Sequence, residues 1–309
     1  MIKFILQRLL QLLPVLLIVI TITFWMAKKA PGGPFSSERQ AAPQVIAKLN
    51  AYYGLDKPLT EQYFLYLKQL LKGDLGPSFT YPTESVNQVI ARSFPISLQV
   101  GSYALLIALA IGLPLGIVAA LGKNTWADYS AMSFAMTGIC LPTFVMGPIL
   151  AITFGIWLDW ANVFGVEKVG NAWLPPLFLP SLTLGLFYGA YIARLTRSGM
   201  LDVLNQDYIR TARAKGVGPW RLVLRHCLKG GLAPVVSFLG PALAGLITGS
   251  FVVEKIFKLP GLGGEFIKGA FNRDYSLILG TVVFYAVLIV VFNLLVDVIQ
   301  ALLDPRIRR

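Results

Sequence analysis

The sequence predicts an all-α integral membrane protein with six transmembrane helices. Of its 309 residues, 56% are hydrophobic and only 14% are charged, whereas soluble domains carry about 25% charged residues. Uncharged runs long enough to cross a bilayer core (~17–25 residues) are 9–27, 93–122, 129–158, 169–193, 230–253 and 275–296. The first run is too long for the apolar part of a signal peptide and no small-residue cleavage site follows it. We therefore expect it to be retained as the first helix.

The basic residues predict the orientation of these spans. Lys and Arg are enriched in short cytoplasmic loops, so the net charge of +12 indicates membrane orientation rather than nucleic-acid binding. With a cytoplasmic N-terminus, the inner side holds most of the basic residues of the short loops, including eight from Arg194 to Lys229. The six-span arrangement then places both termini and the loop at 194–229 in the cytoplasm.

Three parts are expected along the chain. They are the first transmembrane helix (1–30), an external segment with short helices (31–96) and a five-helix core with a cytoplasmic loop at 201–234 (97–309). Residues 31–34, Pro-Gly-Gly-Pro, end the first helix. Within the external segment, 45–55 and 61–71 have the apolar spacing of short helices, and 73–78 is a turn cluster. A disordered linker is the alternative, and the aromatic content of the segment argues against it.

Proline and glycine interrupt three of the predicted spans. They are 112–116 in the second span, Pro142 and Pro148 in the third, and Gly240, Pro241, Gly245 and Gly249 in the fifth. Such residues are tolerated where neighbours or a wet cavity satisfy the freed backbone groups, and the spacing of Gly245 and Gly249 also suits simple close packing. Because the hydroxyls of Ser237, Thr248 and Ser250 lie nearby, the fifth helix is a good candidate to line a passage. The candidate path residues are Tyr188, Ser237, Thr248, Ser250 and Asn293.

A glycine-rich loop, 254–264, follows the fifth span, and a short apolar run then leads to 272–275. We interpret this region as an ordered external loop. It either dips back as a partial plug or simply connects two helices. The candidate gate residues are Pro260, Gly261, Gly263, Arg273 and Asp274.

The most distinctive polar stretch is the cytoplasmic segment 207–234. One helical pattern runs up to Lys215, residues 216–218 break it, and Pro219 suits the first turn of a second helix. The second pattern places five apolar side chains on one face, namely Trp220, Val223, Leu224, Cys227 and Leu228. Arg221, Arg225 and Lys229 lie away from this face. A basic helix-break-helix of this kind is typical of a surface gripped by another protein or lying on a charged surface.

Several kinds of chemistry have no support in the sequence. No predicted span has a charged residue near its middle, which disfavours a proton- or sodium-driven carrier, although sodium held by backbone carbonyls stays open. Gly122-Lys123 lacks the remainder of a phosphate-binding loop. The single histidine, His226, and the two cysteines, Cys140 and Cys227, exclude a His/Cys metal cluster and favour free thiols. No catalytic set can be assembled, so the energy for any uphill movement must come from a partner.

Residues 208–216, with Arg225, His226 and Pro234, resemble the cytoplasmic EAA loop of binding-protein-dependent ABC importer permeases. The form TARAKG at 211–216 is that of the dipeptide/oligopeptide branch. Further matches run in order along the chain, at 3–24, 30–32, 73–76, 259–263 and 272–276. Residues 34–35 and 76–79 are more similar to the B subunit of an oligopeptide permease than to a dipeptide permease. The general motif begins Glu-Ala-Ala where this chain has Arg210, Thr211 and Ala212, and its proline falls nearer the glycine than Pro234 does. A salt bridge from that glutamate therefore has no counterpart here.

The resemblance implies a type I ABC importer permease in the cell inner membrane, taking up oligopeptides. The implied partners are a homologous second permease, two cytoplasmic ATPase subunits that bind the ATP, an external peptide-binding protein and membrane lipid, with no nucleic acid. The chain itself is expected to hold no cofactor or metal and to have no catalytic residues. The implied ATPase-coupling residues are Arg210, Thr211, Ala212, Arg213, Ala214, Lys215, Gly216, Trp220 and Arg225.

Other readings remain open at this point. Within the family, the cargo could be a dipeptide or a nickel chelate. In other classes, the chain could be a secondary carrier or channel, or the loop could be only a basic patch on the membrane surface. Ala212 and Gly216 have the spacing of a DNA-binding helix-turn-helix, but flanking spans hold this segment at the membrane. A membrane-embedded enzyme is the weakest alternative, because no catalytic set lies at one depth.

Overall fold

The computed structural model describes residues 2–29, 48, 50–51, 53–168 and 172–303. In this part of the chain the regular structure is helical, and the extended pairing is an isolated bridge between Pro77 and Ser85. The helices are α1 Ile2–Lys29, α2 Leu59–Leu70, α3 Val86–Leu121, α4 Trp126–Cys140, α5 Thr143–Leu150, α6 Phe178–Leu204, α7 Asp207–Ala214, α8 Pro219–Leu222, α9 Leu228–Gly231, α10 Ala233–Ile247, α11 Phe251–Ile256, α12 Leu262–Phe271 and α13 Tyr275–Leu303. π-Helical turns follow α5, at Ala151–Trp157, and α8, at Val223–Cys227.

Among the described residues, five stretches are helical and apolar enough to cross a bilayer. They are Leu10–Lys29, Val86–Leu121, Phe178–Leu204, Ala233–Ile256 and Tyr275–Ala301. A sixth candidate is α4 with α5 and its π turn, but this pair is bent by 106°. The predicted third span is therefore broken. Pro142 is the reason, because it has no N–H to continue α4 and its extended backbone (φ −57°, ψ 143°) starts α5 instead.

The predicted interruption of the second span at 112–116 is wrong, since α3 runs unbroken through it. Its glycines are packing positions. A Cβ on Gly112 would lie 2.6 Å from the carbonyl oxygen of Gly189, and one on Gly116 would overlap the backbone and Thr196 of α6. Small residues four apart let two helix backbones approach closely. The α3–α6 pair is consequently the most extensive helix contact in the described chain.

The predicted fifth span, in contrast, is broken near its C-terminal end. Helix α10 stops at Ile247, Gly249 has φ +85°, and α11 begins at Phe251. Gly249 is therefore a break in the helix and not one half of a helix-packing pair. Gly245 does pack, against the hydroxyl of Tyr188 on α6.

Part of the segment between α1 and α3 packs on the C-terminal end of α1. Phe24 forms ring contacts with Tyr63 and Tyr66 of α2, and the hydroxyls of Thr21 and Tyr63 are 2.7 Å apart. The predicted helix at 61–71 is thus confirmed as α2. The turn cluster at 73–78 is also confirmed, with positive φ at Gly73 and Gly76. Residues 31–34 and 304–309, and much of the predicted helix at 45–55, lie outside the described residues.

Helix α6 extends beyond the predicted fourth span, which ends at 193. Helix α6 continues to Leu204 and carries Arg197, whose guanidinium donates to both carboxylate oxygens of Asp128 at 2.7 and 2.6 Å. Asp128 is 2% exposed and also accepts from the backbone N–H of Asn124. This two-pronged pair fixes the inner end of α4 to the helix that leads into the basic loop.

Candidate functional site

The basic loop, residues 207–231, forms a compact helical unit, the knuckle, which packs against the C-terminal ends of α3 and α6. Ile209 is fully buried and Ala212 is 8% exposed on one side of α7. Both belong to a cluster with Met200 and Val203 of α6 and with Cys227. The hydroxyl of Tyr208 donates to the carbonyl of His226 at 3.4 Å, which links the two halves of the knuckle. Burial raises the pKa of the Cys227 thiol, so it packs as a neutral apolar group.

Gly216 makes the break between the two halves. It has φ +75°, a left-handed conformation that glycine adopts without strain. Its N–H donates to the carbonyl of Arg213, and the next N–H, of Val217, donates to the carbonyl of Ala212. These two bonds form a Schellman motif, which satisfies the last carbonyls of α7 and turns the chain toward α8. The predicted break at 216–218 and the predicted helix start at Pro219 are confirmed.

The predicted apolar face of the second helix needs correction. Val223 and Cys227 are buried, but Trp220 is 73% exposed and Leu224 is 63% exposed. The π turn at Val223–Cys227 changes the side-chain spacing, and Leu222 takes an inward position instead. The helix therefore has two apolar surfaces, one toward α6 and one outward.

The exposed side of the knuckle carries basic side chains next to an apolar pocket, which lies between the knuckle and the C-terminal ends of α3 and α6. The exposed coupling candidates are Arg210, Thr211, Arg213, Ala214, Lys215, Gly216, Trp220 and Arg225, whereas Ala212 is buried. Trp220 and Arg213 line a pocket of about 560 Å³ with Val217. Arg210 lies 3.7 Å from Asp207, with both side chains largely exposed, and such a contact contributes little. A surface of this kind suits an acidic partner with an apolar projection.

The predicted gate region contains a folded helix, α12, and Asp274 after it is held by several hydrogen bonds. Asp274 is fully buried, and one of its oxygens accepts from the hydroxyl of Ser78 at 2.6 Å and from the N–H groups of Phe79 and Thr80 at 2.8 Å. Its other oxygen accepts from the N–H of Leu277 at the start of α13. Asp274 thus joins the external segment to the last span. Arg273, next to it, has φ +54°.

Gly261 and Gly263 lie around the side chain of Glu254, which sequence reasoning missed, whereas Pro260 is exposed. Glu254, at the outer end of the fifth span, is 3% exposed. It accepts from the hydroxyl of Ser97 at 2.8 Å and from the N–H of Gly264 at 2.8 Å. In the sequence, Glu254 is simply the first charged residue after the apolar run 230–253. The available signal was its position just before a glycine-rich loop.

The candidate path residues lie at several helix contacts. Tyr188 meets Gly245 of α10, and Asn293 of α13 meets Gly240. Ser237 accepts from the side-chain amide of Gln300 at 3.0 Å. Thr248 is half-buried at the break of the fifth span, and the Ser250 hydroxyl caps α11 at Val253. They follow α10 along its contacts with α6 and α13, and their role in a path stays a prediction.

No group of three or more His, Cys, Asp or Glu side chains in the described ranges is placed to hold a metal ion. Cys140 is exposed and Cys227 is buried, and both are free thiols. The prediction of two unpaired cysteines is confirmed.

Comparison with known families decides the class of protein. The model described as "Binding-protein-dependent transport system inner membrane component" matches residues 112–309. A second one, "Binding-prot-dependent transport system membrane comp, N-term", matches residues 1–101. The chain belongs to this family. It is a multi-pass permease component of the inner membrane, and the predicted membership among ABC importer permeases is confirmed.

Named relatives are similar in sequence to this chain over its whole length. The permease is 48% identical over 308 residues to the oligopeptide transport system permease protein OppB of Salmonella typhimurium, with all of both chains covered. The corresponding protein of Haemophilus influenzae is 46% identical over the same length. The dipeptide transport system permease protein DppB of Bacillus subtilis is 43% identical, with 100% of this chain and 98% of that protein covered.

A solved structure supports the fold of the permease. The match is to inward-facing conformations of the MetNI methionine ABC transporter, with a TM-score of 0.60 and 16% identity. It covers 70% of this chain and 97% of that one. The predicted helical ABC permease fold is therefore confirmed at the level of architecture.

Proposed function

We propose that the chain is one permease subunit of an ATP-driven importer that takes up oligopeptides. The observation that carries this proposal is the full-length identity of 48% to an oligopeptide permease. In the proposed complex, a homologous second permease completes the pathway, an external binding protein delivers the peptide, and two cytoplasmic ATPase subunits bind and hydrolyse ATP. The chain itself then needs neither a cofactor nor catalytic residues.

The proposed topology has six spans, with both termini and the knuckle in the cytoplasm. It counts the bent pair of α4 and α5 as one span. The concentration of Lys and Arg between Arg194 and Lys229 supports the placement. Thiol labelling of an Arg213→Cys variant tests it, in a Cys140→Ser background. Access for an impermeant reagent from the cytoplasmic side only is expected, and labelling from outside would contradict the topology.

Coupling to the ATPases is proposed to occur through the outward side of the knuckle. Its arginines suit an acidic cleft through paired hydrogen bonds, and Trp220 supplies an apolar anchor. The buried cluster around Ile209 and Cys227 makes the knuckle compact, so closure of the ATPases would move it as a unit. Since α10 begins directly after it, this movement would tilt the fifth span and alternate access between the two sides.

Reconstitution into vesicles tests the proposed function directly. The second permease, the two ATPases and the binding protein are assembled with this chain, and uptake of a labelled peptide is followed with and without ATP. ATP-dependent uptake is expected. A Gly216→Asp or Ala212→Asp chain should insert and assemble but not transport, because each change disrupts the knuckle. Normal uptake by both assembled variants would contradict the coupling role, and uptake without the ATPases would indicate a carrier or channel.

A dipeptide is the second candidate cargo, favoured by the 43% identity to a dipeptide permease. Competition for uptake by unlabelled peptides of two to six residues separates the two. Competition by dipeptides alone would replace oligopeptides as the proposed cargo.

A further inference from the structure

Glu254 is a buried carboxylate at the place where the fifth span is broken. It lies on the short helix α11, just after Gly249 at φ +85°, and is 3% exposed. A carboxylate buried to this degree is strongly unfavourable unless its oxygens are satisfied by donors. Hydrogen-bond donors are therefore expected around the Glu254 carboxylate.

The donors around Glu254 come from two other elements. Ser97 of α3, itself 1% exposed, donates its hydroxyl to one carboxylate oxygen at 2.8 Å. The backbone N–H of Gly264, in the first turn of α12, donates to the other oxygen at 2.8 Å. The first turn of a ten-residue helix also carries a partial positive charge. The Ser97 oxygen in turn accepts from the N–H of Leu262 at 2.9 Å, which closes the network.

Glycines leave the space that the carboxylate fills. A Cβ built on Gly249 or on Gly261 would overlap the Glu254 carboxyl group, and one on Gly263 would lie 3.0 Å from its oxygen. The loop also closes on the backbone, since the N–H of Leu259 donates to the carbonyl of Glu254 at 2.8 Å. The glycine-rich loop is thus wrapped around this side chain.

We infer that Glu254 is a positioning residue that latches the outer gate of the permease. The latch joins α3, the outer part of the fifth span and the start of α12 into one unit. The knuckle would tilt α10 from the inside, and the bend would fall at 248–250, because the residues beyond are held to α3. This inference rests on the proposed function. It identifies Glu254 as the residue that keeps the outer end of the fifth span fixed while α10 tilts.

Glu254→Gln is the test variant. It keeps the size of the side chain, but its amide has one acceptor oxygen and no charge, whereas both carboxylate oxygens of Glu254 accept hydrogen bonds. Glu265→Gln is the matched control. Glu265 is 4% exposed and is engaged by Tyr81 at 2.8 Å and Lys268 at 3.0 Å, on the external side. Ser97→Ala is the second test variant, since it removes the bridging hydroxyl and nothing else.

Two measurements are made on the assembled complex, in a Cys140→Ser background. The first is peptide uptake per ATP hydrolysed. The second is the distribution of distances between spin labels at Ala91→Cys on α3 and Phe271→Cys on α12, both exposed positions. Loss of the charged hydrogen bonds should reduce uptake per ATP about tenfold in Glu254→Gln and broaden the distance distribution. Ser97→Ala should change both measurements in the same direction but by less. Glu265→Gln should change neither the uptake per ATP nor the width of the distance distribution.

Unchanged uptake in Glu254→Gln, or lost uptake with a distance distribution as narrow as that of the parent, would overturn the latch. If Glu254→Gln does not assemble, Ser97→Ala decides by the same criteria. If the parent complex shows no ATP-driven uptake of peptide, the proposed function fails. The distance comparison still decides whether the carboxylate holds the two helices together.

Discussion

Gly216 and Glu254 are single residues that each set the course of the chain over several neighbours. Gly216 turns the knuckle because its left-handed backbone brings two N–H groups onto the end of α7. Glu254 orders a loop because its carboxylate occupies the side-chain space of the surrounding glycines. The positive φ of Gly216 and the carboxylate of Glu254 thus each determine the local path of the chain.

Replacing Gly216 by Ala should weaken the knuckle through backbone strain. The space around its Cβ position is open, so the left-handed conformation is the main penalty, at about 1–2 kcal/mol. Asn adopts this conformation more easily, and Gly216→Asn should lie between Ala and the parent. The measurement is the rate of peptide-stimulated ATP hydrolysis by the assembled complex, which should fall most in Gly216→Ala. Gly218→Ala is the control, because Gly218 is equally open but has no positive φ. Equal losses in the Gly216 and Gly218 variants would contradict the account.

Trp220 is expected to be an anchor for the ATPase subunit. Trp220→Ala removes an indole that is 73% exposed beside the pocket of the knuckle, and loss of such an anchor costs about 1–2 kcal/mol. The dissociation constant for the ATPase should rise about tenfold, as measured by titration of the detergent-solubilised permease. Trp173→Ala is the control, since Trp173 is 64% exposed but lies in the loop before α6, away from the knuckle. Unchanged affinity in Trp220→Ala would count against this contact.

Among the helices, the seam between α3 and α6 is the structural centre of the permease. Gly112 and Gly116 bring the backbones together, and Ile192 packs there fully buried. At its inner end, the pair between Asp128 and Arg197 adds α4 to the same unit. The elements beneath which the knuckle packs are therefore rigidly joined.

Gly112→Val should force α3 and α6 apart. A branched side chain would overlap the carbonyl of Gly189 and the side chain of Ile192, at a cost of about 1–3 kcal/mol. The midpoint of thermal unfolding in detergent should fall by several degrees. Ala110→Val is the control, because Ala110 is an exposed position on the same helix. An equal change in the two midpoints would show that the seam is not specially packed.

Breaking the ion pair between Asp128 and Arg197 should destabilise the inner end of α4. Asp128→Asn leaves a guanidinium whose side chain is only 29% exposed without its charged acceptor, a loss of about 1.5–3 kcal/mol. Faster protease cleavage within residues 122–128 would report it. In a double-mutant cycle with Arg197→Met, the two changes should not add. If the effects of the two single changes on the cleavage rate simply added in the double variant, Asp128 and Arg197 would not be energetically coupled.

For the whole molecule, the apolar runs were sufficient to predict a helical membrane protein, because bilayer thickness fixes the length of a span. The amphipathic spacing at 61–71 and the glycine at 216 predicted α2 and the break of the knuckle. The role of Gly112 was not predictable, since a glycine within a span indicates either a break or a close neighbour, and the neighbour is far away in sequence. Glu254 was missed for the same reason, because its partner Ser97 lies 157 positions earlier.

The anchor at Asp274 has a consequence for biogenesis. Ser78 and Thr80 are bound by a residue that the ribosome adds 194 to 196 positions later. At bacterial synthesis rates of about 5–20 residues per second, this delay is roughly 10 to 40 s. For that time residues 78–80 lack the buried carboxylate that holds them, so this segment reaches its final structure only after the start of α13 has been made.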